Sequence, residues 1–288
     1  MSGSLKRRWY TYRHDPKSLF LFLSVCLAAL ITVLAIIFII AYILIKGIPN
    51  ITPELFDSSY TTENVSLLPA LINTLFITLL SLLFAVPVGI GAAIYLTEYA
   101  KRGNKLVSVI GITAETLSGI PSIIYGLFGS LFFVKYLNLG LSLLSGALTL
   151  SIMILPLIMR TTEEALRSVP DSYREGSFGL GAGKLRTVFS IVLPCAVPGI
   201  LSGVILGIGR IVGESAALIF TAGTVAEIAT SIFSSARTLS VHMYSISGEG
   251  LYIKQTYATA VVLLVVVILI NGLSGFVAKK LGGRNTDG

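Results

Sequence analysis

Four stretches of this 288-residue chain carry no Asp, Glu, Lys or Arg: Ser18–Ile45, Asn64–Thr97, Tyr136–Met159 and Gln255–Ala278. Each is at least 24 residues long. A bilayer core of about 30 Å needs roughly 20 helical residues at 1.5 Å each, so each is long enough to cross. Two further apolar runs are interrupted by charge, Leu106–Val134 by Glu115 and Thr187–Ala226 by Arg210 and Glu214. The pattern predicts six transmembrane helices, near 18–45, 66–97, 106–134, 137–159, 188–221 and 256–278. Pro87, Pro121 and Pro156 fall inside these spans, where lipid-embedded bundles tolerate proline. The first span is far longer than a signal-peptide core and no small-x-small cleavage site follows it, so it reads as an uncleaved signal-anchor.

Composition sharpens the pattern. Only 12% of residues are charged, against about 25% in soluble proteins, which argues against a soluble enzyme. The net charge of +7 is explained by location. With the N-terminus in the cytosol, 16 Lys and Arg fall on cytosolic segments and only Lys46, Lys135, Arg237 and Lys254 on the other side. This bias fixes the expected orientation, with both termini cytosolic and no nucleic acid needed to account for the charge. The basic arm of residues 1–17, with Trp9, Tyr10 and Tyr12 among its charges, suits the anionic inner-leaflet lipid surface. Residues 281–288 form a short cytosolic tail.

The loops are unequal. On the outer side, Ile232, Phe233, Ala236, Leu239 and Met243 fall near one helical face and predict a short interfacial helix. On the cytosolic side, residues 161–186 hold two capping boxes, Thr161-x-x-Glu164 and Ser172-x-x-Glu175. Pro170 separates them, and Gly179, Gly181 and Gly183 stop the second helix after about two turns. The chain re-enters a helix near Leu185. A short helix hinged at both ends suits docking into a partner's cleft.

At these residues the sequence resembles the permease subunits of binding-protein-dependent ABC transporters. Their loop pattern is E-A-A, three residues, G, nine residues, I-x-L-P. Glu175, Gly176, Ser177, Gly181, Ile191, Leu193 and Pro194 stand at that spacing, with Gly176 and Ser177 replacing the two alanines by other small residues. A narrower resemblance, to the phosphate-uptake PstA/PstC type and nearer to PstA, rests on Glu115–Gly129, Gly209–Ala217 and Arg160–Pro170. The resemblance implies the all-α type I ABC importer fold, with a cytosolic coupling helix between spans four and five. It also implies docking of an ATPase at Ser172 and the loop-pattern residues. The implied partners are a second, PstC-like permease, two ATPase subunits and an extracytoplasmic phosphate-binding protein.

The chain itself offers no catalytic or cofactor site. Gly179–Lys184 fails as a phosphate loop, because Phe178 stands where glycine is needed and Leu185 where Ser or Thr is needed. His14 and His242 lie far apart with no cysteine nearby, so no metal site is expected. A charge within the bilayer costs about 2.5–3.5 kcal/mol and should face the bundle interior or a water-filled path. Arg210 and Glu214, at i and i+4, are therefore expected to pair on one helix face, with Arg210 offering an anion a bidentate partner. Arg160 and Glu115 complete the candidate path. Glu115 is expected to bond backbone freed by Pro121 or an arginine of a second permease. Another oxyanion as substrate and a stand-alone anion carrier are the alternatives, and the second has no need of the cytosolic loop.

Overall fold

The computed structural model describes residues 16–101, 103 and 105–282, and all of their regular structure is helical. The basic arm through residue 15 and the tail beyond residue 282 lie outside the described residues. The long helices are α1 (Pro16–Gly47), α2 (Leu68–Ile94), α5 (Leu143–Arg167), α7 (Lys184–Gly213) and α10 (Ile253–Gly282). Five helices among the described residues are long and apolar enough to cross a membrane, six if the bent pair over 107–136 counts as one span. Short helices α6 (Asp171–Gly179), α8 (Ala216–Thr221) and α9 (Leu239–Glu249) join them.

The bent pair corrects the expectation of one straight span over 106–134. Helix α3 (Lys105–Ser118) ends at Gly119–Pro121, and α4 (Ser122–Gly129, running on as the wider π-helical turns Ser130–Tyr136) leaves at 103°. Pro121 has an extended ψ of 140°, and a residue before proline avoids the α region, so the ladder breaks here. The Tyr125 hydroxyl spans the corner and donates to the Leu117 carbonyl at 2.7 Å.

Helix α5 is the axis of the bundle: two thirds of its apolar window is buried, against none of the window in α1. Its N-terminus is held by Ser142, whose hydroxyl accepts from the Ser145 amide at 3.2 Å. Leu150, Met153, Ile154 and Ile158 of α5 pack against Ile77 of α2, Ile211 of α7 and Leu218 of α8 to form the main core. A second cluster, with Leu166, Val169, Val188 and Val192, closes the end that carries α6. Helix α1 leans on α10 near its C-terminal end, where Tyr42 and Tyr257 meet edge to face.

Local expectations change in four places. Helix α5 starts at Leu143 and runs unbroken to Arg167, so Thr161 caps nothing and its hydroxyl bonds back to the Leu157 carbonyl at 2.9 Å. Helix α6 begins one residue before Ser172, after Pro170, without a side-chain cap, so the second capping box also fails to form. The fifth span stops at Gly213 rather than near 221. Between the fifth and sixth spans the helix starts only at Leu239, leaving Ile232 and Phe233 exposed on irregular chain.

Candidate functional site

Helices α3, α5 and α7 line an open cavity of about 620 Å³. Its charged lining is three arginines, Arg160, Arg167 and Arg210, and three glutamates, Glu115, Glu163 and Glu164. Arg160 lies 3.8 Å from Glu115 across the α3–α5 contact and 3.5 Å from Glu164 one turn along α5. Arg167 lies 3.5 Å from Glu163. All three carboxylates are thereby engaged, and the Arg210 guanidinium has no ion pair or hydrogen bond among the described residues. Arg210 enters from the far end of the cavity. The backbone at Gly203 abuts Thr161 and that at Gly207 faces Ile154 and Ile158, so Arg210 is level with Ile154. By helical rise that is about 9 Å from Arg160 along α5.

Two expected pairings are corrected. Arg210 and Glu214 do not meet, because the helix ends at Gly213 and Glu214 has extended backbone (φ −76°, ψ 130°). The Glu214 carboxylate turns instead to the next helix and accepts from the Ala217 amide at 3.1 Å. Its own carbonyl accepts from the Ser240 hydroxyl. Glu115, expected to seek freed backbone or another subunit, pairs with Arg160 of its own chain.

The second assembly of charge surrounds α6. Ser172, Glu175, Gly176 and Gly181 are exposed, alongside the exposed apolar side chains Tyr173, Phe178, Leu180 and Leu185. Gly181 has φ +81°, which ends the helix in a conformation that costs glycine little. Ser177 faces inward, its hydroxyl 2.8 Å from that of Thr187. Ile191, Leu193 and Pro194 lie in α7 and are half-buried. Arg174, unremarked in the sequence, is the best-bonded side chain here. It donates to Glu98 (2.7–3.3 Å), to Asp171 (3.2 Å), and to the carbonyls of Val169 (2.8 Å) and Leu166 (2.9 Å) at the end of α5. The Leu166 carbonyl also accepts from the Val169 amide at 3.3 Å, and both carbonyls lie at a helix C-terminus, where a cation is favoured. The Glu98 hydrogen bonds raise the Arg174 pKa above its ordinary value, against the opposing effect of burial.

At the opposite end, His242 of α9 is fully buried against the edge of the Tyr60 ring, with Arg237 over the same ring. Burial first, and Arg237 second, push its pKa down to about 4. The Val65 backbone pulls weakly the other way, but neither ring nitrogen has a partner in hydrogen-bond geometry. No group of three or more metal-ligating side chains occurs among the described residues.

Residues 85–283 match the sequence profile of the binding-protein-dependent transport system inner membrane component. The chain belongs to this family. It is a multi-pass membrane permease component, and its helices are those of an ABC importer permease. The chain is 34% identical over 243 residues to a probable ABC transporter permease, YqgI, of Bacillus subtilis, covering 79% of this chain and 82% of that one. It is 32% identical to the phosphate transport system permease PstC of Mesorhizobium japonicum (77% and 76% covered). It is 35% identical to PstA 1 of Mycobacterium tuberculosis H37Rv (70% and 66% covered). Among solved structures, a bacterial alginate ABC importer superposes with a TM-score of 0.66 at 18% identity over 98% of this chain and 100% of that chain. An inward-facing methionine importer gives 0.55 at 21% over 73% and 93%. These likenesses establish the shared fold.

Proposed function

We propose that this chain is the permease subunit of an ATP-driven phosphate importer, oriented with α6 and both termini in the cytosol. A second permease of the PstC type forms the other half of the path, two ATPase subunits dock on α6, and an extracytoplasmic binding protein delivers phosphate. The observation that carries this reading is the cavity in which Arg210 stands without a counter-ion, in a chain similar to PstA and PstC permeases. A planar guanidinium offers phosphate two parallel hydrogen bonds, and this one releases no carboxylate to do so. Arg160 is held by Glu115 and Glu164 at 3.5–3.8 Å with its side chain 60% exposed. Such loose pairs exchange partners at little cost, so a passing anion binds there briefly and the glutamates reclaim the arginine behind it. Glu214 serves the α7–α8 corner.

The exposed face of α6, with Glu175 among Tyr173, Phe178 and Leu180, is the docking surface for the ATPase. The chain contributes no hydrolytic chemistry; its work is to change the accessibility of the cavity. Reconstitution with both permeases, the ATPase and the binding protein tests the reading. Phosphate uptake is expected to require ATP and the binding protein, with sulfate not substituting. Uptake by the permeases alone, or transport of sulfate in preference to phosphate, overturns it.

A further inference from the structure

Connectivity ties α6 to its neighbours only through its two ends, at Pro170 and around Gly181, and both ends are hinges. An unrestrained lever of nine residues would swing without moving much else. The side-chain contacts change that. Arg174 is only 15% exposed and Glu98 only 8%, and the contacts above use all five N–H donors of the guanidinium. Glu98 belongs to the π-helical turn Tyr95–Tyr99 that closes α2. On the other flank, Ser177 bonds Thr187, which directly precedes the π-helical turn Val188–Val192 in α7. Lys184 lies 5.2 Å over the Tyr99 ring and joins the two flanks. Wide turns of this kind absorb a change of helical register more cheaply than regular helix does, and often mark functional sites.

We infer that the Arg174–Glu98 pair is the latch through which α6 moves the end of α2, a helix to which it has no direct chain connection. Arg174 is thus a positioning residue for coupling. The route to the cavity is short. The end of α2 packs on α3, Leu96 lying in one apolar cluster with Val107, Ile110 and Ala114, and α3 carries Glu115, the partner of Arg160. A displacement of α6 taken up by Glu98 therefore shifts Glu115 against Arg160, while the Ser177 bond carries the same displacement into α7 and Arg210. Both walls of the cavity receive one push.

This inference rests on the reading of the chain as an ATP-driven phosphate permease, and its test separates the two. In the reconstituted complex, the phosphate moved per ATP hydrolysed is compared for the parent, Glu98→Gln and Arg174→Lys. Loss of a coupling interaction is expected to lower that ratio at least about fivefold in Glu98→Gln, with hydrolysis near the parent rate and Arg174→Lys intermediate. A purely structural pair would instead lower both rates together with the amount of assembled complex; an unchanged ratio overturns the latch. Should Glu98→Gln fail to assemble, Arg174→Lys decides by the same ratio. If the parent complex moves no phosphate, the substrate reading fails and the latch is judged by distance. Spin labels at Tyr95→Cys and at Gly179→Cys, where the end of α6 has room for a side chain, are expected to keep one separation with and without ATP, once Ser replaces the exposed Cys26 and Cys195. That separation is expected to change on ATP binding once Glu98→Gln is added. A change of equal size with Glu98 present overturns the inference.

Discussion

Arg174 and Arg160 both face glutamates, yet the protein treats them in opposite ways. Arg174 is enclosed, spends every donor, and meets Glu98 at 2.7 Å. Arg160 is 60% exposed, and its nearest carboxylate oxygens are 3.5 and 3.8 Å away. Burial is the cause of the difference. A charge withdrawn from water must be repaid bond for bond, so a buried pair becomes rigid. A solvated pair gains little from any one geometry and stays exchangeable. The first suits a mechanical joint, the second a passage for an anion.

The largest effect that bears on this contrast is expected from Arg174→Ala. It leaves Glu98 buried without a partner and strips the Val169 carbonyl of its donor, at a cost of about 3–5 kcal/mol. A fall in thermal unfolding temperature of the purified permease checks it. Arg160→Gln is expected to stay within about 1 kcal/mol of the parent in the same assay while lowering phosphate uptake. Equal losses of stability in the two variants would erase the contrast.

His242 sharpens the comparison from the opposite end of the bundle, because it is buried with neither ring nitrogen hydrogen-bonded. Its folded pKa of about 4 lies below the ordinary 6.5, so the unfolded chain binds the proton more readily. The fold is at full stability above about pH 6.5, loses about 1.4 kcal/mol per pH unit as pH falls toward 4, and levels off below. Unfolding at pH 7.5 and pH 5 is expected to differ by about 2 kcal/mol through this group. His242→Leu is expected to remove that part of the slope; an unchanged slope would show that the ring is not the group responsible.

A smaller effect is expected at the second tie of α6. Ser177→Ala removes one buried hydroxyl bond and should cost about 1 kcal/mol, well short of the loss expected for Arg174→Ala. The same thermal unfolding assay measures it.

How much of this was legible in the sequence follows from separation along the chain. The spans were visible because charge is missing over whole runs, and α6 was visible because Pro170 and Gly181 bracket it locally. The corner at Gly119–Pro121 was hidden, since the same apolar pattern fits one straight span or two helices at 103°. The Arg210–Glu214 pair was over-read: Gly213 between them already signals a helix end, and an i,i+4 argument holds only while the helix lasts. The capping boxes failed because Thr161 and Ser172 lie inside helices that begin earlier. Arg174 and Glu98 are 76 residues apart, and their pairing is set by how α2 and α5 pack. One local hint existed: Glu98 stands immediately after a run of 34 residues without charge, where an acid needs a cation.

The most direct test of the account is phosphate uptake by the reconstituted complex carrying Arg210→Gln. Losing one charged hydrogen-bond donor to the anion is expected to cut uptake at least about tenfold, with the ATPase still bound and the permease as stable as its parent. Uptake at the parent rate would show that Arg210 does not handle the anion and would contradict the account.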